Sequence, residues 1–191
     1  MIVASGPSTA SVDLSLIAGL RCIAVSHGCR AVRDADALLF GGQSFAQNRA
    51  WVPYRGPLIV MGNRPFPATS GERRMVYMPR AGAFGLSVDP ATLCGAESSV
   101  TLAINYAVHR GASRLILLGC DGKPGPNGER RIGGRDLDTR DALRRYADQE
   151  RVMRSQIEPL AVRGVGIVNC SPGTALACYP RADLRDAIAA C

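Results

Sequence analysis

The 191 residues carry 23 basic side chains against 16 acidic ones, a net charge of +7, with 47% hydrophobic and 5% aromatic residues. That apolar content excludes wholesale disorder, and the length suits one domain that buries about 70% of its unfolded surface. The longest apolar runs, such as Leu115-Ile-Leu-Leu118, fall far short of the roughly 18–20 residues that cross a membrane, and Met1-Ile-Val-Ala-Ser-Gly lacks the basic, apolar pattern of a secretion signal. A soluble cytoplasmic domain without a membrane partner is the expectation.

The seven cysteines, at 22, 29, 94, 120, 170, 178 and 191, form no Cys-x-x-Cys pair, and the only histidines are His27 and His109. Zinc needs closely spaced thiolate or imidazole ligands, so no metal site is expected from them. Reduced, buried cysteines acting as small hydrophobes fit better. Lys123 is the sole lysine, and every other basic residue is arginine. Arginine's planar fork suits phosphate oxygens, although a GC-rich genome accounts for the same bias.

The chain alternates short apolar runs with helical patterns. Met1-Ile-Val-Ala is a first strand that ends at Ser5-Gly-Pro-Ser8, followed by a short helix over 14–20. Cys22–Val25, Ala35–Phe40, Pro57–Met61 and Met75–Met78 read as further strands. The prolines and glycines of 62–95 predict loop with little regular structure. Ser98–Arg110 is the clearest helix, with apolar residues at 100, 103, 104, 107 and 108, and Gly111 stops it. Arg114–Leu118 is a buried strand, Gly122–Gly134 a polar glycine-rich insertion and Asp138–Leu160 a long charged helix. A last strand over Gly166–Cys170 precedes a short helix from Asp183.

Strands buried on both faces and alternating with helices predict an α/β fold. The expectation is a single-domain, Rossmann-like, mostly parallel sheet with helices on both faces, spanning 1–191, with a flexible lid or insertion near 122–137. Right-handed crossovers put all strand C-termini on one edge. Polar and small residues gather after those strands: Gly6–Ser8, Ser26-His27, Gly41–Ser44, Gly119–Asp121 and Asn169–Ser171. One edge of the sheet therefore reads as a binding site.

Ser5, Gly6, Pro7 and Ser8 form a phosphate-loop candidate, because glycine lets backbone approach an anion and a helix N-terminus offers free N–H groups. Neither Gly-x-Gly-x-x-Gly nor Gly-x4-Gly-Lys-Ser/Thr is present, which disfavours a standard dinucleotide or P-loop site. Ser98 and Ser99 either cap the helix that follows or also face a ligand phosphate or sugar. Asp121, between Cys120 and Gly122 at a strand end, either forms the turn or binds ribose, a metal or an acceptor. His27 is a general-base candidate because imidazole titrates near neutrality. His109 reads as a partner of its helix C-terminus, and Asp136-Leu-Asp138 as a solvated helix start.

Arginines 130, 131, 135, 140, 144, 145, 151 and 154 make the strongest basic cluster, interleaved with acidic residues at 136, 138, 141, 148 and 150. Such a pattern is either a solvated helix face or a polyanion-binding one. Arg130, Arg131 and Arg135 are the candidates for holding phosphate or acceptor. Trp51 and Tyr146 are candidates for base stacking, without regular aromatic interleaving.

Taken in order, the opening strand with Gly6-Pro7-Ser8, the stretch Glu97-Ser-Ser-Val-Thr-Leu-Ala-Ile-Asn-Tyr-Ala-Val108 through Gly111-Ala112, Arg114-Leu-Ile-Leu-Leu-Gly-Cys-Asp121, and Val168-Asn-Cys-Ser-Pro-Gly-Thr-Ala-Leu176 resemble a known group. It contains phage-encoded proteins of largely unassigned role, hydroxymethylpterin diphosphokinase-like proteins and, more distantly, small bacterial sialyltransferases. The resemblance implies a cytidine nucleotide-sugar surrounded by Gly6, Pro7 and Ser8, by Ser98 and Ser99, and by Gly119 and Asp121. It puts Ser26 or His27 in the place of a nucleotide-contacting asparagine, with Gln43 and Ser44 beside them. The sialyltransferases use a histidine and tyrosines from a lid, whereas residues 122–163 here hold no histidine and one tyrosine, Tyr146. Their mechanism therefore does not carry over unchanged.

The resulting expectation is a nucleotide-sugar-dependent glycosyltransferase, with His27 or Asp121 deprotonating an acceptor hydroxyl. If the phage-like resemblance is the nearest one, the acceptor is a hydroxymethylated base of DNA and the setting a host cytoplasm. No tightly bound cofactor is expected beyond the donor, and metal dependence stays open. The alternatives are an ATP-dependent pyrophosphokinase acting on a small pterin-like alcohol, and a non-catalytic nucleotide- or nucleic-acid-binding module.

Overall fold

A computed structural model describes residues 1–41, 54, 56–61, 75–132 and 139–190. Its centre is a parallel sheet of seven strands: β1 (Ile2–Val3), β2 (Ile23–Val25), β3 (Ala37–Phe40), β4 (Leu58–Met61), β5 (Met75–Met78), β8 (Arg114–Leu118) and β9 (Gly166–Asn169). Two short strands, β6 (Arg80–Gly82) and β7 (Leu93–Cys94), pair separately in parallel. Four α-helices are described: α1 (Ser99–His109), α2 (Thr139–Arg154), α3 (Ile157–Val162) and α4 (Leu184–Ala189).

The spatial order is β5-β4-β3-β2-β1-β8-β9. The chain walks outward from β1 to β5, then returns through β6, β7 and α1 to lay β8 on the other side of β1. Order therefore reverses between β1 and β8. In open α/β sheets, ligands bind in the crevice beyond the strand C-termini at such a reversal.

Alternation along each strand builds two cores. Ile2, Val25, Leu39, Ile59, Leu115 and Leu117 face one side, under α1 and under Met153 and Leu160 from the α2–α3 pair. Val3, Ala24, Leu38, Phe40, Leu58, Val60, Ile116 and Leu118 face the other, with Ile17, Cys29, Leu184 and Ala187. Both faces of the sheet are thus covered, and the α/β, parallel, Rossmann-like architecture read from the alternating runs is the one observed. No described helix is long and apolar enough to cross a membrane.

Three local differences from the sequence expectations have physical reasons. The helix anticipated over 14–20 is a 3-10 turn at Leu14–Ile17, capped by Asp13 and followed by Gly19 at φ +81°. The helix anticipated over 138–160 is two helices, because Pro159 cannot donate to the Ser155 carbonyl and its ring would clash there. Gln156 fills the break, donating to Thr101 O at 2.9 Å and Gly85 O at 3.3 Å from a fully buried position. Within the stretch read as loop, β6 and β7 form, too short to leave an apolar run.

Candidate functional site

The loop after β1 and the loop after β8 meet at the reversal. Ala4 N donates to Leu118 O at 2.7 Å and Gly6 N to Gly119 O at 2.9 Å, extending the ladder past the strand ends. Gly6 is required by this approach: a Cβ there would lie 2.7 Å from the Asp121 carboxylate carbon and collide with Gly119 O. Gly119 sits at φ +68°, and a Cβ on it would lie 2.7 Å from Ala4 O.

Asp121 is 7% exposed. Its Oδ2 accepts from Ser8 N at 2.9 Å, and its Oδ1 accepts from the Ser8 hydroxyl. Burial raises its pKa above the ordinary aspartate value, and the two Ser8 hydrogen bonds and Lys123 oppose that rise. Its backbone carbonyl accepts from Ala175 N at 2.7 Å and Thr174 Oγ1 at 3.2 Å. Asn169 in turn donates to Cys120 O at 3.0 Å, and Ser171 Oγ accepts from Cys120 N at 2.8 Å. The loops after β1, β8 and β9 are therefore one hydrogen-bonded assembly.

Over this assembly opens a cavity of about 190 Å3, lined by Ser5, Gly6, Ser98, Gly119, Asp121, Gly122, Lys123, Arg130, Arg131, Tyr146 and Gln149, with Ala4 and Val100 behind. Three cationic side chains face one carboxylate. The 122–132 segment reaches the cavity by folding back on the first loop, with Ile132 N donating to Ser5 O at 2.8 Å. Arg130 Nε is buried and, among the described residues, has no hydrogen-bond partner. A cationic N–H withdrawn from water and left unmatched is an unfavourable arrangement.

The N-terminus of α1 closes the other side. Ser98 accepts from Val100 N at 3.2 Å, so the helix cap is present, and the same oxygen accepts from Gln149 Nε2 at 3.1 Å. Ser99 lies one step away, its hydroxyl accepting from Gly41 N at 3.3 Å and lying 3.5 Å from Ser26 Oγ. Ser26 occupies φ +50° and Glu97 φ +58°, so backbone strain flanks the same helix start.

Of the residues singled out from sequence, Ser5, Gly6, Ser98, Gly119, Asp121, Arg130 and Arg131 converge on the cavity, and Ser8 holds Asp121. Pro7 opens the 3-10 turn Pro7–Ser11 behind it. Ser26 and Ser99 form a neighbouring polar pair, and His27 sits in the 3-10 turn Ser26–Arg30 without lining the cavity. Gln43, Ser44, Trp51, Arg135, Asp136 and Asp138 lie outside the described residues. His109 meets the Asn105 side chain at 3.1 Å on its own helix. Arg144, Arg151 and Arg154 pair within α2 with Asp148 and Glu150 at 4.0, 3.2 and 2.6 Å, which is the pattern of a solvated face.

Tyr146, a base-stacking candidate from sequence, also lines the cavity, whereas sequence reasoning did not place Lys123 or Gln149 in the site. Lys123 carried a signal, as the chain's one lysine two residues beyond the Asp121 strand end. Tyr146 and Gln149 are three apart on α2 and so share a helical face, but nothing local says what that face meets. Among the described residues no group of three or more His, Cys, Asp or Glu side chains is arranged to hold a metal ion.

Fold and site together define a doubly wound α/β protein with a cationic crevice at its topological reversal. Neither family models, nor curated proteins, nor solved structures give a significant match to the chain.

Proposed function

We propose that the cavity between the loops after β1 and β8 is the donor site of a nucleotide-sugar-dependent glycosyltransferase. The observation that carries the reading is the cationic wall of Lys123, Arg130 and Arg131, opposite the backbone of Ser5-Gly6 and the start of α1. At about 190 Å3 the cavity is below the roughly 300 Å3 at which whole-ligand pockets begin. It suits a diphosphate, with nucleoside and sugar extending outward. Ser98 and Gln149 lie at one side for a ribose or sugar hydroxyl, and Tyr146 offers a ring for stacking.

In this reading the three cations stabilise charge as it develops on the departing nucleoside diphosphate. Asp121 is the better placed of the two base candidates, since it lines the cavity and its carboxylate is made more basic by burial. It takes the proton of the acceptor hydroxyl as the glycosidic bond forms, and the nucleoside diphosphate leaves with the electron pair of the broken bond. The pyrophosphokinase alternative needs magnesium held beside a triphosphate. Among the described residues the one carboxylate of this cavity is Asp121, whose two oxygens both accept from Ser8.

Thermal stability measured against a panel of nucleotides and nucleotide-sugars, with and without magnesium, tests this. A ligand at 100 times its Kd adds about 2.7 kcal/mol, a readable shift in melting temperature. Stabilisation by one nucleotide-sugar is the expected result. Stabilisation by ATP only with magnesium would move the assignment to the pyrophosphokinase. Binding without turnover of the stabilising donor, across an acceptor screen, would leave a binding module.

A further inference from the structure

A second cavity, a groove of about 540 Å3, lies at the same edge of the sheet, between the Ser11–Leu16 stretch and the segments 169–174 and 181–185. It shares a wall with the first cavity. Ser11 Oγ donates to Ser8 O at 2.8 Å, Ser8 holds the Asp121 carboxylate, and Thr174 of the groove donates to the Asp121 carbonyl at 3.2 Å. Lys123 crosses between them: it lines the first cavity, and its Nζ comes within 3.7 Å of where a Cβ would stand on Gly173 of the groove.

The chemistry of the two cavities differs. The first sets three cations against one carboxylate, while the groove sets Arg181 and Arg185 against Asp13 and Asp183. A balanced lining attracts no net charge, but offers acceptors and donors side by side. Asp13 Oδ1 accepts from Ser15 N and Oγ at 3.0 and 2.6 Å, and Asp183 Oδ1 accepts from Arg185 N at 2.7 Å. Among the described residues the second oxygen of each carboxylate takes no protein hydrogen bond, so each can accept a ligand hydroxyl. Leu16 and Pro172 supply an apolar strip beside these groups, matching the C–H face of a ring that carries its hydroxyls on the edge.

We infer that this groove binds an uncharged polyhydroxylated small molecule, a sugar or cyclitol, and that it is the acceptor subsite of the transfer proposed above. The assignment as acceptor rests on that reading; the binding itself does not. The shared Ser11–Ser8–Asp121 wall puts the groove next to the group assigned as base.

The test is a titration of the isotopically labelled chain with D-glucose and with myo-inositol, followed by amide chemical shifts, with D-glucuronate and a short DNA duplex as charged comparators. Saturating shifts confined to 11–16, 171–174 and 181–185 are expected with one of the neutral probes. Asp13→Asn and Asp183→Asn keep an N-cap acceptor and so keep the fold, and each should weaken binding at least about tenfold. Arg185→Gln, at an exposed side chain, is an independent variant with the same expectation. Tighter binding of glucuronate or DNA at these residues would overturn the assignment of an uncharged ligand. The absence of groove shifts with either neutral probe would overturn the site. If nucleotide-sugars still stabilise the protein in that case, only this inference falls; groove binding without any nucleotide response would instead remove the donor site and leave the groove as a polyol site.

Discussion

Ser8 gives both of its hydrogen-bond donors to Asp121: its backbone N–H to Oδ2 at 2.9 Å and its hydroxyl to Oδ1. These residues are 113 positions apart in the chain, and their pairing fixes the loop after β1 onto the loop after β8. Two effects compete at the carboxylate. Burial disfavours its charge, and the Ser8 donors with Lys123 favour it, with burial the larger. Because the folded pKa is raised, the folded state holds its proton to higher pH than the unfolded chain does. The associated stability is complete below the unfolded value of about 3.9 and is lost as pH rises through the folded value. Urea unfolding of the wild type and of Asp121→Asn across pH 3 to 8 should therefore show a stability difference that moves against the wild type as pH rises from about 4. A difference that stays level across that range would remove burial as the dominant influence on Asp121.

Ser8→Ala tests the same pair from the other side. It leaves the buried carboxylate with the Ser8 N–H alone, and removing one partner of a buried charged group costs about 1–3 kcal/mol. Because the Ser8–Asp121 pair also shapes the donor loop, nucleotide-sugar affinity should fall along with stability. A variant as stable as the wild type would show that water replaces the hydroxyl at no cost.

Gly6→Ala adds one methyl group where there is no space. The new Cβ would stand 2.7 Å from the Asp121 carboxylate carbon, with Gly119 O closer still, so the loops must part. A loss of about 1–3 kcal/mol is expected, as for overpacking elsewhere, with loss of the nucleotide-induced thermal shift. Gly6 sits at φ −62°, which alanine adopts freely, so the cost belongs to the contact and not to the backbone conformation. A variant as stable as the wild type, with its nucleotide-induced shift intact, would show that the loops part at no cost.

Much of this arrangement is legible in local patterns. Apolar runs locate the seven sheet strands to within about two residues, as expected for elements with strong periodicity. Ser98 and Asp183 mark helix starts that the structure confirms through their accepted N–H bonds. The strand order is not legible, because no residue of β1 states that its neighbours are β2 and β8. That order is what brings Gly6 to Asp121. The cavity's far wall is hidden for a similar reason: Tyr146 and Gln149 belong to a charged helix whose inward face is defined only by packing. The break before α3 has a readable cause in Pro159, which the charge pattern running through 138–160 masks.

The thiols give a prediction independent of ligand. Among the described residues six cysteines are free and buried. Burial pushes Cys22, Cys170 and Cys178 up to about 11, and raises Cys29, Cys94 and Cys120 as well. The thiolate is the reactive form, so these six should react with a thiol-selective disulfide at neutral pH only as the protein opens. Native titration should leave them unreacted over minutes, and titration in denaturant should release all of them at once. Fast reaction of more than one thiol in the native protein would contradict this burial.

Arg130 separates stability from binding. Among the described residues its Nε is buried without a partner, which weighs on the unliganded fold, while its side chain belongs to the cationic wall of the proposed donor cavity. Arg130→Met keeps most of the side-chain volume and removes the unmatched N–H. The free protein should then be as stable as the wild type or more so, by up to about 1 kcal/mol, while the nucleotide-sugar Kd rises at least about tenfold through loss of a charge-assisted contact. Arg130→Lys should restore part of the charge without the planar fork and bind with intermediate affinity. Denaturant melts of the free proteins, paired with calorimetric titration of the donor that stabilises the wild type, read both quantities. Opposite signs for the two effects are what an anion site requires. Loss of stability with unchanged affinity would make Arg130 a packing residue and take the centre out of the cationic wall.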